Sequence, residues 1–77
     1  MEDRIKKVMA SVFETSKDVI DENTTPDTVE NWDSLNHMKL VVALEEEFGV
    51  HITDQEILEM QSFKLIKYII SKYLIKS

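Results

Sequence analysis

Asp33, Ser34 and His37 are the residues whose types and spacing could do chemistry: a carboxylate, a hydroxyl beside it and an imidazole three residues on. On a helix, an i, i+3 spacing brings Ser34 and His37 to the same side, which superficially offers a nucleophile, a base and an orienting acid. The rest of a hydrolase is missing from the sequence. There is no G-x-S-x-G elbow, the single glycine rules out a glycine-rich oxyanion loop, and 77 residues are too few to enclose a substrate pocket. Two other roles remain open for Ser34. Either Asp33 or Ser34 could cap a helix that starts here, and local capping logic favours that role. Alternatively, a serine hydroxyl at a helix start after a long loop is accessible to a modifying enzyme, and the helix dipole would favour an attached phosphate.

No other cluster competes with this one. His37 and His51 are too few and too far from a ligand set for zinc. The acidic loop from Asp18 to Thr28 lacks the glycine and terminal glutamate of an EF-hand, so no metal site is expected. Cysteine is absent, which excludes disulfides, thiolate metal sites and a cysteine nucleophile.

The elements that must position Ser34 are helical. Ile5, Val8, Met9, Val12 and Phe13 predict an amphipathic first helix over roughly residues 3 to 16. "TSKDVIDENTTPDTVEN" (residues 15–31) gathers Asp, Asn, Thr and Pro26 and reads as a long loop, with Val19, Ile20 and Val29 expected to pin it to the core. Loops of that length are unusual in small domains unless they serve a function. The second helix is expected from Ser34 to Phe48, closed by Gly49. Thr53-Asp54-Gln55-Glu56 forms a capping box opening a short third helix through Met60. Ser62 can cap a fourth helix in which Phe63, Ile66, Ile70 and Tyr73 recur at helical spacing, and Tyr68 also reads as a packing residue there. The expected fold is all-α, a single domain over residues 1–77: a small four-helix bundle of three long helices and one short third helix, with a long loop between helices 1 and 2.

The second helix carries more apolar residues than one buried face needs. Leu40, Val41, Leu44 and Phe48 form one stripe; Leu35, Met38 and Val42 form a second, offset from it. Either the helix is buried on two sides, or the second stripe is an exposed docking strip beside Glu45-Glu46-Glu47, where the adaptable Met38 would suit several partners. Charge is divided along the chain. Residues 18–60 hold twelve acids against one cation, Lys39, whereas residues 61–77 hold four lysines and no acid. Such an acidic middle repels nucleic acid and anionic membranes and attracts basic protein surfaces, although a solvated acidic face is the plainer reading. "MEDRIKKVMASVF" lacks the apolar run of a signal peptide and no stretch is apolar enough to span a membrane, so a cytoplasmic protein without membrane insertion is expected.

Asp33-Ser34-Leu35 followed by "MKLVVALEEEFGVHI" closely resembles the signature of the acyl carrier protein family: D-S-L at the start of the second helix, then a run ending in A-L-E-E-E-F. The likeness is dense across residues 32–52, and the order of elements fits along the chain. It implies that Ser34 accepts 4′-phosphopantetheine from coenzyme A, in a transfer made by a phosphopantetheinyl transferase that supplies Mg²⁺ and base. The arm would end in a thiol carrying acyl groups as thioesters, which gives thiol chemistry to a chain without cysteine. The chain itself would be a carrier and not an enzyme, its flexible arm giving a high effective concentration at each partner. Carried over, Asp33 flanks the attachment serine and helps the transferase recognise it. Leu35, Met38 and Val42 become exposed apolar contacts. Glu45 and Glu46 become acidic contacts for acyl-loading and acyl-processing enzymes of lipid, fatty acid or specialised-metabolite biosynthesis that bear basic docking surfaces. Leu40, Val41, Leu44, Phe48, Phe13 and Ile52 become core.

The departures are informative. Carriers of fatty-acid synthesis usually place Gly and a small residue before D-S-L, where this chain has Asn31-Trp32, and acids where it has Asn36 and Lys39. Lys39 reverses a charge within the docking face, implying weaker contact with the basic patches of standard synthase enzymes. Trp32-Asp33-Ser34-Leu35 looks more like stand-alone carriers of specialised pathways. Trp32 could shield the phosphate end of the arm or pin the loop to the bundle, and His37 would lie near the modified serine or against the loop. An aminoacyl or peptidyl carrier of the same fold would commonly show G-G-[HD]-S, which Asn31-Trp32-Asp33 does not match. A non-carrier acidic interaction module would have no need of an intact Asp33-Ser34-Leu35. The sequence therefore predicts a discrete, monomeric acyl carrier.

Overall fold

The computed structural model describes residues 2–75. Four helices follow one another as expected: α1 (Glu2–Phe13), α2 (Ser34–Phe48), the short α3 (Asp54–Glu59) and α4 (Phe63–Ile75). Their apolar stripes meet in one core built from Ile5, Met9 and Phe13 of α1, Leu40, Val41 and Leu44 of α2, and Phe63, Ile66, Ile69 and Ile70 of α4, closed by Ile52 and Met60 on either side of α3. Phe48, expected in the core, is only half-buried. It packs at the edge, with the Arg4 guanidinium 4.5 Å from its ring centroid. Arg4 also donates to the Glu47 carboxylate and to the Glu47 carbonyl, both at 2.8 Å, so one side chain from α1 satisfies an end carbonyl of α2.

The first helix ends three residues earlier than its periodicity suggests. Glu14 turns to φ 55°, and Thr15 N–H reaches back to the Ala10 carbonyl at 2.9 Å, which closes α1 in a Schellman arrangement. Helix α2 closes in the same way. Gly49 sits at φ 64°, its N–H and that of Val50 both donating to the Glu45 carbonyl. The two positions ask the same backbone conformation of a glutamate and a glycine. Only the glycine adopts it without steric cost.

The segment between α1 and α2 is long but not structureless. Ser16 caps a 3₁₀ turn at Lys17–Val19. The buried Thr24 accepts from Asp21 N–H at 2.8 Å, while its carbonyl accepts Phe63 N–H at 3.0 Å and so caps α4 from outside the helix. Ser62 adds the expected side-chain cap, accepting from Leu65 N–H. Ile20 and Val29 pin the segment as anticipated, but Val19 points outward. The two neighbours have the same character, and the 3₁₀ turn decides which of them faces the core. Lys67 on α4 ties the segment down further, bridging Glu22 at 2.8 Å and Glu2 at 3.6 Å.

Helix α3 is too short to be stable alone and is held by polar ties at both ends. The capping box forms as expected, Thr53 and Glu56 bonding each other's backbone N–H. Glu56 also accepts the hydroxyl proton of Tyr73 and pairs with Lys72 at 3.4 Å, linking α3 to α4. Tyr73 thus packs as expected; Tyr68 does not, and lies exposed while its neighbour Ile69 takes the core position.

Two tests follow from this architecture. Glu14→Gly should raise stability and Gly49→Ala lower it, each by about 1 kcal/mol, read from chemical denaturation midpoints at unchanged m-value. Nothing lies within 4 Å of a β-carbon built at Gly49, so the second change measures backbone strain alone. The second test concerns Glu56, whose carboxyl is lowered from 4.5 to about 2, chiefly by the Tyr73 hydroxyl and further by Thr53 and Lys72. A carboxyl depressed in the folded state contributes stability above its unfolded pKa and loses it as pH falls through the folded one. Stability should therefore decline between pH 4.5 and pH 2. Tyr73→Phe should cost about 2 kcal/mol at neutral pH and make that acid decline shallower.

Candidate functional site

Ser34 is the first residue of α2 but not its cap. Asp33 occupies the cap position in extended backbone and accepts Asn36 N–H at 2.8 Å through its carboxylate, while its carbonyl accepts His37 N–H, also at 2.8 Å. The Ser34 side chain is left exposed, with no hydrogen bond to any described residue. The competition between the two residues for the capping role is thus resolved in favour of Asp33, and the serine hydroxyl is free.

Two asparagines that local reasoning did not assign fix the approach to Asp33. Asn31 donates its side-chain amide to the Phe13 carbonyl at the end of α1, at 2.8 Å. Asn36 donates its own amide to the Asn31 carbonyl, again at 2.8 Å. This relay runs from α1 through the loop to α2 and sets where Asp33-Ser34 sits. The Asn36 side-chain amide supplies the N–H donor of this relay, which an acid at position 36 would lack at neutral pH. Nothing in a linear reading marks these residues beyond their departure from the expected acid.

Trp32 pins the loop. Its indole is 5% exposed, stacks on Phe13 with ring centroids 5.0 Å apart, and donates Nε1–H to His37 Nδ1 at 2.9 Å. An indole nitrogen can only donate, so Nδ1 is the unprotonated nitrogen and Nε2–H donates to the Ile57 carbonyl at 2.8 Å. Both ring nitrogens of His37 are therefore engaged away from Ser34. The serine has no base in His37, and the apparent Asp33-Ser34-His37 constellation is not a triad.

The second apolar stripe of α2 is exposed: Leu35 is 67%, Met38 48% and Val42 52% accessible, beside the solvent-facing Lys39. The alternative of a helix buried on two sides does not hold. Of the acids that follow, Glu46 is exposed, and Glu47 is paired with Arg4 at 2.8 Å. Glu45 turns inward, half-buried, with Oε2 accepting Ile52 N–H at 2.9 Å and lying 3.5 Å from His51 Nδ1. Leu58, not among the residues expected at the site, is 70% exposed and joins Met38 at the rim of an open groove running past Ser34 between α2 and α3. The adjacent pair Ile57-Leu58 in a short helix was the available signal, since such a helix can bury only one of two neighbours. No helix among the described residues is long and apolar enough to cross a membrane.

Comparison with known proteins places this geometry. The family model described as "Phosphopantetheine attachment site" matches residues 3–66. An acyl carrier protein of Buchnera aphidicola subsp. Baizongia pistaciae (strain Bp) is 36% identical over 73 residues, covering 95% of this chain and 94% of that protein. An acyl carrier protein of Lactobacillus acidophilus is 40% identical over 53 residues, covering 69% of this chain and 66% of that protein. In fold, the chain is similar to the solution structure of holo acyl carrier protein from Geobacter metallireducens, with a TM-score of 0.87 at 24% identity over 97% of this chain and 86% of that one. With a matching family model over most of its length and a relative this similar from end to end, the chain belongs to the phosphopantetheine-attachment family of acyl carrier proteins.

Proposed function

We propose that Ser34 is the residue that receives the 4′-phosphopantetheine arm, and that Leu35, Met38, Lys39, Val42 and Glu46 form the surface by which enzymes of acyl metabolism find it. Members of this family are non-catalytic carriers, modified by a phosphopantetheinyl transferase and served by acyl-processing enzymes. The observation that carries the assignment to Ser34 is its free, exposed hydroxyl at the first position of α2, with the capping duty taken by Asp33.

The residues present suit a phosphodiester at that position. The first turn of α2 leaves the N–H groups of Ser34 and Leu35 without intrahelical acceptors, and the dipole of a 15-residue helix favours negative charge there. When attached, the arm supplies a thiol that holds acyl groups as thioesters. The chain contributes position: Asp33 holds the first turn, the Asn31–Asn36 relay holds Asp33, and the apolar stripe offers contact area next to the attachment point. Asp33 stands beside the serine where a transferase can read it.

Docking follows from what is exposed. Leu35, Met38 and Val42 supply apolar area, and Glu46 supplies the acidic contact for a basic enzyme surface. Glu45 supports that surface from behind by holding the Ile52 backbone. Lys39 makes no ion pair with a described residue and sits in the middle of the strip, where it opposes a basic partner and favours one with a matching acid. A carrier with this strip is suited to a dedicated enzyme in a specialised pathway.

Incubation with coenzyme A, Mg²⁺ and a broad-specificity transferase should add the mass of one phosphopantetheinyl group, and Ser34→Ala should abolish the addition. An unmodified wild-type chain, or an adduct that persists in Ser34→Ala, would falsify the assignment. For docking, Lys39→Glu should raise kcat/KM by about tenfold at low salt with a transferase that docks through a basic surface, mostly through KM, and the gain should shrink as salt is added. An unchanged kcat/KM would reduce Lys39 to solvated surface.

A further inference from the structure

His37 stands at the junction of three elements beside Ser34, yet carriage of an acyl arm gives it nothing to do. We propose that His37 is a proton-sensitive latch. While neutral, it joins Trp32 of the long loop to Ile57 of α3 across the first turn of α2, and so holds in place the rim of the groove beside the attachment serine. Protonation releases Trp32 and loosens the groove rim. The inference deepens the reading of Ser34 as the attachment residue, because it concerns what controls the ground next to that residue.

Hydrogen-bond polarity makes the bond sensitive to a proton. Trp32 Nε1–H donates to His37 Nδ1 at 2.9 Å, and the two ring planes lie 19° apart. His37 Nε2–H donates to the Ile57 carbonyl at 2.8 Å. Both bonds exist together in one state only, the neutral ring with its proton on Nε2. A proton taken from solvent must go to Nδ1. The ring then donates at both nitrogens, keeps Ile57, and turns an N–H toward the indole N–H, which leaves the buried Trp32 donor without its acceptor. Trp32 keeps its stacking on Phe13 but loses the only polar bond its side chain makes among the described residues.

What lies around the bond makes it consequential. Trp32 directly precedes Asp33-Ser34, so a shift of the indole is felt at the helix cap and at the serine. Across the groove, α3 is six residues long, and His37 is its polar tie to α2, whereas Glu56 ties it to α4. Trp32, His37, Met38, Ile57 and Leu58 line the groove with Ser34, so releasing the latch changes its width where an acyl arm begins. Among the described residues that line this groove from the loop, α2 and α3, Asp33 alone carries a charge, and its carboxylate is occupied in capping Asn36. The other histidine, His51, is exposed and lies beyond the far end of α2.

Trp32 is the only tryptophan in the chain, which makes the latch directly readable. The unmodified protein should be followed from about pH 8 to pH 5, the range over which histidines ordinarily titrate, by tryptophan emission, indole N–H exchange and far-ultraviolet circular dichroism. The protection factor of the indole N–H should fall by about tenfold or more while helix content stays constant, as expected for a local opening. His51→Gln should leave this profile intact, and His37→Gln, which does not titrate, should remove its pH dependence. Should His37→Gln fail to fold, imidazole nitrogen shifts of the wild type decide the matter, since the latch requires an unprotonated Nδ1 and a protonated Nε2 at pH 8. A flat wild-type profile, a profile that survives His37→Gln, or an Nδ1–H tautomer at pH 8 each overturns the proposal. None of these measurements needs an arm on Ser34, so their failure is separate from failure of the attachment assignment.

Discussion

The hydrogen bond from Asn36 N–H to the Asp33 carboxylate is the contact on which the site depends. A helix start needs a side-chain acceptor for its orphan N–H groups, and aspartate and serine are both good ones. Had Ser34 taken that role, its hydroxyl would be turned back on the helix and occupied. With Asp33 as cap, the helix begins one residue earlier than it would with Ser34 as cap, and the serine becomes an exposed first-turn residue with an unbonded hydroxyl. The side chains on either side then serve to hold Asp33 in extended backbone: Asn31 tied to the end of α1, Asn36 tied to Asn31, and Trp32 wedged against Phe13.

The same economy governs α2. Leu40, Val41 and Leu44 enter the core shared with α1 and α4, leaving Leu35, Met38 and Val42 largely exposed. Exposure of three large apolar side chains beside one another is unfavourable for an isolated bundle, and that is the ground for proposing that they contact other proteins. The acids nearby are divided by geometry. Glu47 is bound by Arg4, Glu45 by the Ile52 backbone, and Glu46 faces outward. A run of three glutamates thus performs an interhelical tie, a loop clamp and a surface charge. Charge counting along the sequence treats the three as equivalent.

The helices themselves were legible because burial imposes a period, and the periods of α1, α2 and α4 are clear. The two-stripe pattern of α2 was legible for the same reason, although a wheel cannot say whether the second stripe meets protein or solvent. What was not legible turned on choices between neighbours with the same character. Val19 or Ile20, Tyr68 or Ile69, and Asp33 or Ser34 differ little in propensity, and backbone geometry settles each pair. The early end of α1 was hidden too, because a glutamate in the left-handed region carries no compositional mark of the kind Gly49 carries. Glu45 read as surface acid because its acceptor role depends on where the loop after Gly49 brings the Ile52 N–H.

Trp32 and His37 show the limit most clearly. Each departs from its surroundings, and each alone supported several roles: shielding a phosphate, pinning a loop, acting as base, lying against the serine. Five residues apart and spanning a loop-to-helix junction, they are not related by any helical or strand period. The indole donates only, which fixes the imidazole tautomer, and that tautomer sends the second ring proton to the Ile57 carbonyl. One pair of bonds thus excludes hydrolytic chemistry at Ser34 and connects the loop, α2 and α3 at the edge of the groove. It also places Trp32, one of this chain's departures from the usual signature, in a fixed position beside Ser34. With Ser34 as the proposed attachment residue, the serine must stay fixed for the transferase while the surface around it yields to successive enzymes. A rigid cap at Asp33 next to the proposed proton-sensitive bond satisfies both demands within five residues.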